Sequence, residues 1–152
     1  MDINLAWKGD MSFEGAANSG YSLQMDTDKS AGGRNSAAQP MEFIALGLAG
    51  CTAMDVISIL KKKHQQVENF EIKMQVQRTP VHPKVFTQAV IEYHVRGREL
   101  SEEALLRAIE LSATTYCPAY AMLSRVFPIR LKYFIQDSGT DQTISGEWRS
   151  PG

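Results

Sequence analysis

Apolar and polar positions alternate along some stretches of this chain and run together along others, and the contrast marks out its elements. Residues 70–77 alternate cleanly, with Phe70, Ile72, Met74 and Val76 on one face and Glu71, Lys73, Gln75 and Gln77 on the other. Val85, Thr87, Ala89, Ile91, Tyr93 and Val95 repeat the same period over residues 85–96. Both segments are predicted as half-buried strands. The connector TPVHPK at 79–84 is too rich in proline to continue a ladder, so the pair is expected to form a hairpin. Shorter alternations occur in Ile3-Asn-Leu-Ala-Trp7 and in Tyr21, Leu23 and Met25, separated by the turn signals Gly9-Asp10, Gly15 and Asn18-Ser-Gly20. Residues 3–26 are therefore predicted as two or three short antiparallel strands. Ile129, Leu131, Tyr133 and Ile135 predict a last strand.

Between these strands the pattern changes. From Phe43 to Met54 there is no charge, and Ala, Leu, Ile and Met predominate, which favours helix. Pro40 suits a first helical position, Glu42 complements the dipole at that end, and Lys61, Lys62 and Lys63 complement the other. A helix over 40–63 that is apolar on all sides either crosses a membrane or is wrapped by protein. Phe43 to Leu60 is 18 residues, the lower limit for a span, but it contains Asp55, Gly47 and Gly50 and is flanked by strands. The segment is accordingly read as a central helix covered by sheet and other helices, with the two glycines admitting another backbone. Ser101-Glu-Glu103 opens a second helix, on which Leu105, Ala108, Ile109, Ser112 and Tyr116 share a face. Cys117 then stands as N-cap to Pro118 and a short third helix over 119–126, which Pro128 stops. Residues 27–40 read as a small, polar, glycine-containing loop, and residues 137–152 as a polar C-terminal tail anchored by Trp148. The order strands, helix, strands, helices, strand defines an α+β fold with helices packed on antiparallel sheet. One domain is expected over 1–136, with the tail at 137–152.

Composition narrows the function classes. Sixteen basic and 17 acidic residues give a formal charge of −1, without the excess of cations that nucleic-acid binding needs. The N-terminus MDINLAWKGD has no basic region followed by an apolar run, so no signal peptide is expected and the reducing cytoplasm is the expected compartment. Two cysteines exclude a disulfide scaffold and a four-thiolate zinc site. His64, His82 and His94 lack ligand spacing, so no metal is expected, and no dinucleotide, P-loop or GxSxG motif occurs.

The candidate chemistry lies in the two thiols, each of which has a bland reading beside a functional one. Cys117 at a helix N-terminus has its thiolate stabilised by free N–H groups, or else it is a buried hydrophobe. Cys51 lies mid-helix, where burial makes a thiol inert unless a cation arrives from elsewhere, and Asp55, four residues on, opposes its ionisation. Glu42 precedes Cys51 by nine residues, which on one helix is about 900° of rotation and the opposite face. If Glu42 and Cys51 cooperate, a second subunit must bring them together. Arg34, in the glycine-containing loop, either reaches a ligand or is simply solvated.

The segment Pro40-Met-Glu-Phe-Ile-Ala-Leu-Gly-Leu-Ala-Gly-Cys-Thr-Ala-Met-Asp-Val56 and the later Tyr116-Cys-Pro118 resemble the two signatures of the OsmC/Ohr family, osmotically induced and organic-hydroperoxide-resistance proteins. The resemblance covers about residues 3–136 and is greatest to the OsmC-like branch. It implies sheets wrapped around a central helix, an intertwined homodimer and active sites at the dimer interface. It further implies a thiol peroxidase in which Cys51 attacks an organic hydroperoxide and Cys117 resolves the sulfenic acid as a Cys51–Cys117 disulfide. An external dithiol reductant would restore both thiols, with no metal, flavin or haem cofactor and no nucleic-acid or membrane partner. The family site also holds a Glu and an Arg. Met41 stands directly after Pro40 where the family pattern has Glu, leaving Glu42 as the match. The N-terminal strands offer Lys8 in place of the Arg, leaving Arg34 as a stand-in. The competing reading is a non-catalytic OsmC-like protein that binds a small apolar ligand at the dimer interface.

Overall fold

The structure, a computed structural model, describes residues 1–150. It divides into two compact units, Met1–Leu46 and a second from Gly47 onward. In the first, β1 (Ile3–Gly9), β2 (Ser12–Ala17) and β3 (Ser22–Met25) form an antiparallel meander, as the early alternation predicts. The register sets Leu5 beside Gly15 and Gly15 beside Leu23, with Trp7, Phe13 and Met25 in the next row. Residues directly opposite share a face, so one side of this sheet is apolar. That side is uncovered in the single chain, with Trp7 66% exposed and Ile3, Leu5 and Leu23 also exposed.

The loop that follows contains a 3₁₀ turn, Lys29–Ala31, capped by Asp28, and folds around the buried Asp26. The Asp26 carboxylate accepts from the Ser36 hydroxyl at 2.7 Å and from the N–H groups of Thr27, Ser36 and Arg34 at 2.8, 3.0 and 3.1 Å. The Ser36 bonds lead in holding this carboxyl well below its ordinary range.

Helix α1 (Pro40–Lys62) begins at the expected proline. Its start is tied by Glu42, whose carboxylate accepts from Gln39 N–H at 2.7 Å while Gln39 O accepts from Glu42 N–H at 2.9 Å. Its end is closed by His64 in the left-handed conformation (φ 56°) and by a Gln65 N–H to Leu60 O bond of 3.0 Å. α1 is long and apolar enough to cross a membrane. One stripe, Leu48, Thr52, Val56 and Leu60, is instead buried in a protein core. The expectation of a helix covered all round is met on that stripe alone: Ile44, Leu46 and Met54 are exposed, and a Cβ added to Gly47 or Gly50 would meet nothing within 4 Å among the described residues.

The second unit is built on a four-stranded sheet in the order β4 (Gln66–Arg78), β5 (Phe86–Arg98), β6 (Ile129–Asp137), β7 (Thr143–Trp148). The predicted β4–β5 hairpin is present, with one correction to the all-antiparallel expectation: β5 and β6 pair in parallel. The cause is the connection, because the helical segment between them crosses over and returns the chain in the same direction. The part of the expected tail that is described holds β7, which pairs antiparallel to β6 and sets Trp148 beside Leu131 and Gly146 beside Tyr133. Gly146 leaves room for the Tyr133 ring, whose hydroxyl donates to Glu102 at 2.6 Å. Residues 151–152 of that expected tail lie outside the described residues.

The crossover begins with α2 (Glu102–Leu111), whose N-cap Ser101 accepts from Ala104 N–H at 3.2 Å. Leu105, Ala108 and Ile109 pack into the core with Ile91, Tyr93, Leu131 and the α1 stripe. A π-helical turn, Ser112–Tyr116, follows, and then α3 (Pro118–Leu123). The wider turn breaks the spacing of four. Ser112 stays buried, but Tyr116, expected on the same face, turns out to solvent at 57% exposure.

Candidate active site

The core face of α1 and the π-helical turn bring together side chains far apart in sequence. The sulfurs of Cys51 and Cys117 and a carboxylate oxygen of Asp55 lie within 4.8 Å of one another. Cys51 and Asp55 are partly buried, while Cys117 is 2% exposed. The spacing of four on α1 sets Cys51 and Asp55 on one face. Cys117 is delivered by the π-helical turn, whose widened geometry is closed by a Cys117 N–H to Ser112 O bond of 2.9 Å. As predicted, Cys117 caps α3: its sulfur accepts from Tyr120 N–H at 3.3 Å.

A buried chain of hydroxyls supports the trio. Thr52 Oγ1 bonds to Tyr93 OH at 2.7 Å and to Ser112 Oγ at 2.9 Å, and Ser112 Oγ donates to Asp55 Oδ2 at 3.0 Å. Nothing in the local pattern marks Thr52, Tyr93 or Ser112, since each reads as an ordinary core position. The one legible signal was the i, i+4 relation of Asp55 to Cys51.

Burial dominates the electrostatics at Cys117. Burial, then the hydrogen bond to Cys51, pushes the Cys117 thiol up to about 12, and the Asp55 charge adds to the effect. Burial likewise pushes the Tyr93 hydroxyl well above its ordinary value. Asp55 also lines a cleft of about 350 Å³ with Ser58, Ile59, Lys62, Lys63, Leu111 and Tyr116.

The other two expected site residues belong to the first unit. Arg34 is ion-paired with Asp10, and both line a cavity of about 190 Å³ together with Lys8, the alternative cation. Glu42 caps the start of α1, as described above.

A two-unit α+β chain with one long apolar helix and a cysteine from each of two signatures defines a recognisable class. Residues 33–132 match the family model for OsmC-like proteins, and the chain belongs to that family. It is 34% identical over 133 residues to protein YhfA of Escherichia coli K12, covering 88% of this chain and 96% of that protein. A solved structure from Aquifex aeolicus VF5 superposes with a TM-score of 0.78 at 25% identity, covering 90% of this chain and 96% of the other. An organic hydroperoxide resistance protein OsmC from Legionella pneumophila superposes with a TM-score of 0.65 at 15% identity, covering 88% and 94%, a likeness of fold.

Proposed function

We propose that the protein is a cysteine-based thiol peroxidase that reduces organic hydroperoxides in the cytoplasm. The observation that carries this reading is the approach of two sulfurs from separate elements to within 4.8 Å of each other. A disulfide needs about 2.05 Å, a gap that side-chain rotation and small backbone shifts close. In this reading Cys51, on α1, is the attacking thiolate, and the buried Cys117 resolves.

The Cys51 thiolate attacks the terminal peroxide oxygen and the O–O bond breaks. The alkoxide leaves and takes a proton to become an alcohol, and Cys51 becomes a sulfenic acid. Cys117 loses its proton and attacks the sulfenic sulfur, and hydroxide departs as water, leaving the Cys51–Cys117 disulfide. An external dithiol reduces that bond by exchange and is itself oxidised to a disulfide.

A homodimer completes the site in this reading. The uncovered apolar face of β1–β3 and the exposed Ile44, Leu46 and Met54 of α1 support it, because apolar surface of this extent favours a partner. Glu42 and a cation, Arg34 or Lys8, then reach Cys51 from the second copy.

The test is mass spectrometry of the reduced protein after brief, near-stoichiometric exposure to an organic hydroperoxide. The expected product is about 2 Da lighter and absent in Cys51→Ser and Cys117→Ser. Two thiols left unmodified at neutral pH would overturn the peroxidase and favour the binding protein, with its apolar ligand at the dimer interface.

A further inference from the structure

We propose that Cys51, Cys117 and Asp55 form a binding site for a soft divalent cation of the zinc class, with three protein ligands and an open fourth position. The histidines supply no ligand spacing, but the fold assembles a different donor set. Two sulfurs and a carboxylate oxygen converge within 4.8 Å of one another, and two of the three come from one face of α1. Around tetrahedral zinc, bonds of about 2.3 Å to sulfur and 2.0–2.2 Å to oxygen put the ligands roughly 3.5–3.8 Å apart. Each donor has about 1 Å or less to move.

Two features favour a cation over a chance cluster. The first is charge. Two sulfurs and a carboxylate oxygen are all anionic donors when they ligate, so a dication placed among them meets three attractive partners at once. The second is orientation. Ligating carboxylates are held by hydrogen bonds from an outer shell. Asp55 accepts from Ser112 Oγ at 3.0 Å, and Ser112 is tied through Thr52 Oγ1 to Tyr93 OH, a chain buried in the core. The carboxylate is thus aimed before any ion arrives. Thiolate ligands select zinc and its softer relatives over magnesium or calcium. Each thiol that ligates releases its proton to solvent, and no oxidant or reductant takes part.

The inference is independent of the peroxidase reading, although it shares two residues with it. An ion that holds both sulfurs prevents them from joining, so metal loading and disulfide formation exclude one another.

The experiment titrates the reduced, full-length protein with Co²⁺ under argon and then adds Zn²⁺. One Co²⁺ per chain is expected to bind with a thiolate-to-cobalt charge-transfer absorption, which Zn²⁺ abolishes by displacement. Cys51→Ser and Cys117→Ser are each expected to lose most of that absorption. Asp55→Asn keeps the absorption but weakens binding at least tenfold. Ser112→Ala, which touches no ion, weakens it about tenfold through the outer shell. Circular dichroism confirms that each variant is folded, and the conservative Asp55→Asn and Cys→Ser changes keep the test sound if Ser112→Ala is not. Absence of the charge-transfer band in the reduced protein, its survival in either Cys→Ser variant, or unchanged affinity in Asp55→Asn would overturn the site. A positive titration beside unreacted thiols in the hydroperoxide experiment would leave the metal site standing without the peroxidase.

Discussion

The two units of this chain are held together by opposite means. The unit from Gly47 onward has an apolar core of its own, in which Ile91, Leu105, Ile109 and Leu131 interlock and the buried polar groups are neutral hydroxyls leading to Asp55. Met1–Leu46 is organised around a buried carboxylate, Asp26, encircled by amides and a serine, while the apolar face of its sheet is exposed. The contrast teaches that apolar residues in a strand do not by themselves make a core. One unit uses them to stabilise itself; the other carries them on an exposed sheet face.

The sharpest way to break that comparison is a matched pair of truncations. Ile91→Ala is expected to cost about 2–5 kcal/mol in urea unfolding, because it opens a cavity among residues that cannot collapse into it. Leu23→Ala, on the exposed face, is expected to change unfolding of dilute protein by less than about 0.5 kcal/mol. Equal costs would mean that the first unit has a core after all. Next in size is Thr52→Val, which removes the partner of Tyr93 OH. It is expected to cost about 1–3 kcal/mol in the same assay, the penalty of a buried hydroxyl left unpaired. A neutral result would mean that the hydroxyl chain is not structural.

The smallest effect concerns the first unit and acid. The folded Asp26 carboxyl lies below its ordinary value of 3.8 because its ionised form accepts the Ser36, Thr27 and Arg34 bonds. Its contribution is therefore complete above the unfolded value and is lost as pH falls towards the folded one. Melting curves between pH 6 and pH 2 are expected to show a shallower acid decline in Asp26→Asn. An unchanged decline would place the acid sensitivity in the other unit.

The legible and illegible parts of this chain divide along the same physical line. Strands β4 and β5, helix α1 and the Ser101 cap were readable because alternation, composition and capping act within a few residues. The parallel β5–β6 pairing was not, since strand partnership depends on a crossover rather than on either strand's pattern. β7 was missed because Thr143-Ile-Ser-Gly-Glu-Trp148 lacks apolar alternation and has its place through Tyr133 lying over Gly146. Tyr116 was placed on the wrong face because the π-helical turn has no local signature. At the site, Cys51 and Cys117 were visible through their motifs and Asp55 through its spacing. Thr52, Tyr93 and Ser112 acquire their part only where three elements meet.

The parallel pairing of β5 with β6 also sets an order of events during synthesis. Cys117 rides on the crossover, whose α2 packs with β5 and the α1 stripe as well as with β6, so the core around it is complete only once β6 lies beside β5. A ribosome-bound chain that has released only α1 and the β4–β5 hairpin carries Cys51 without its counterpart, and the joining contacts are long-range and therefore late. A chain interrupted before Cys117 has one solitary thiol on a finished α1, and one interrupted between Cys117 and β6 has both thiols but lacks the strand that completes the parallel pair.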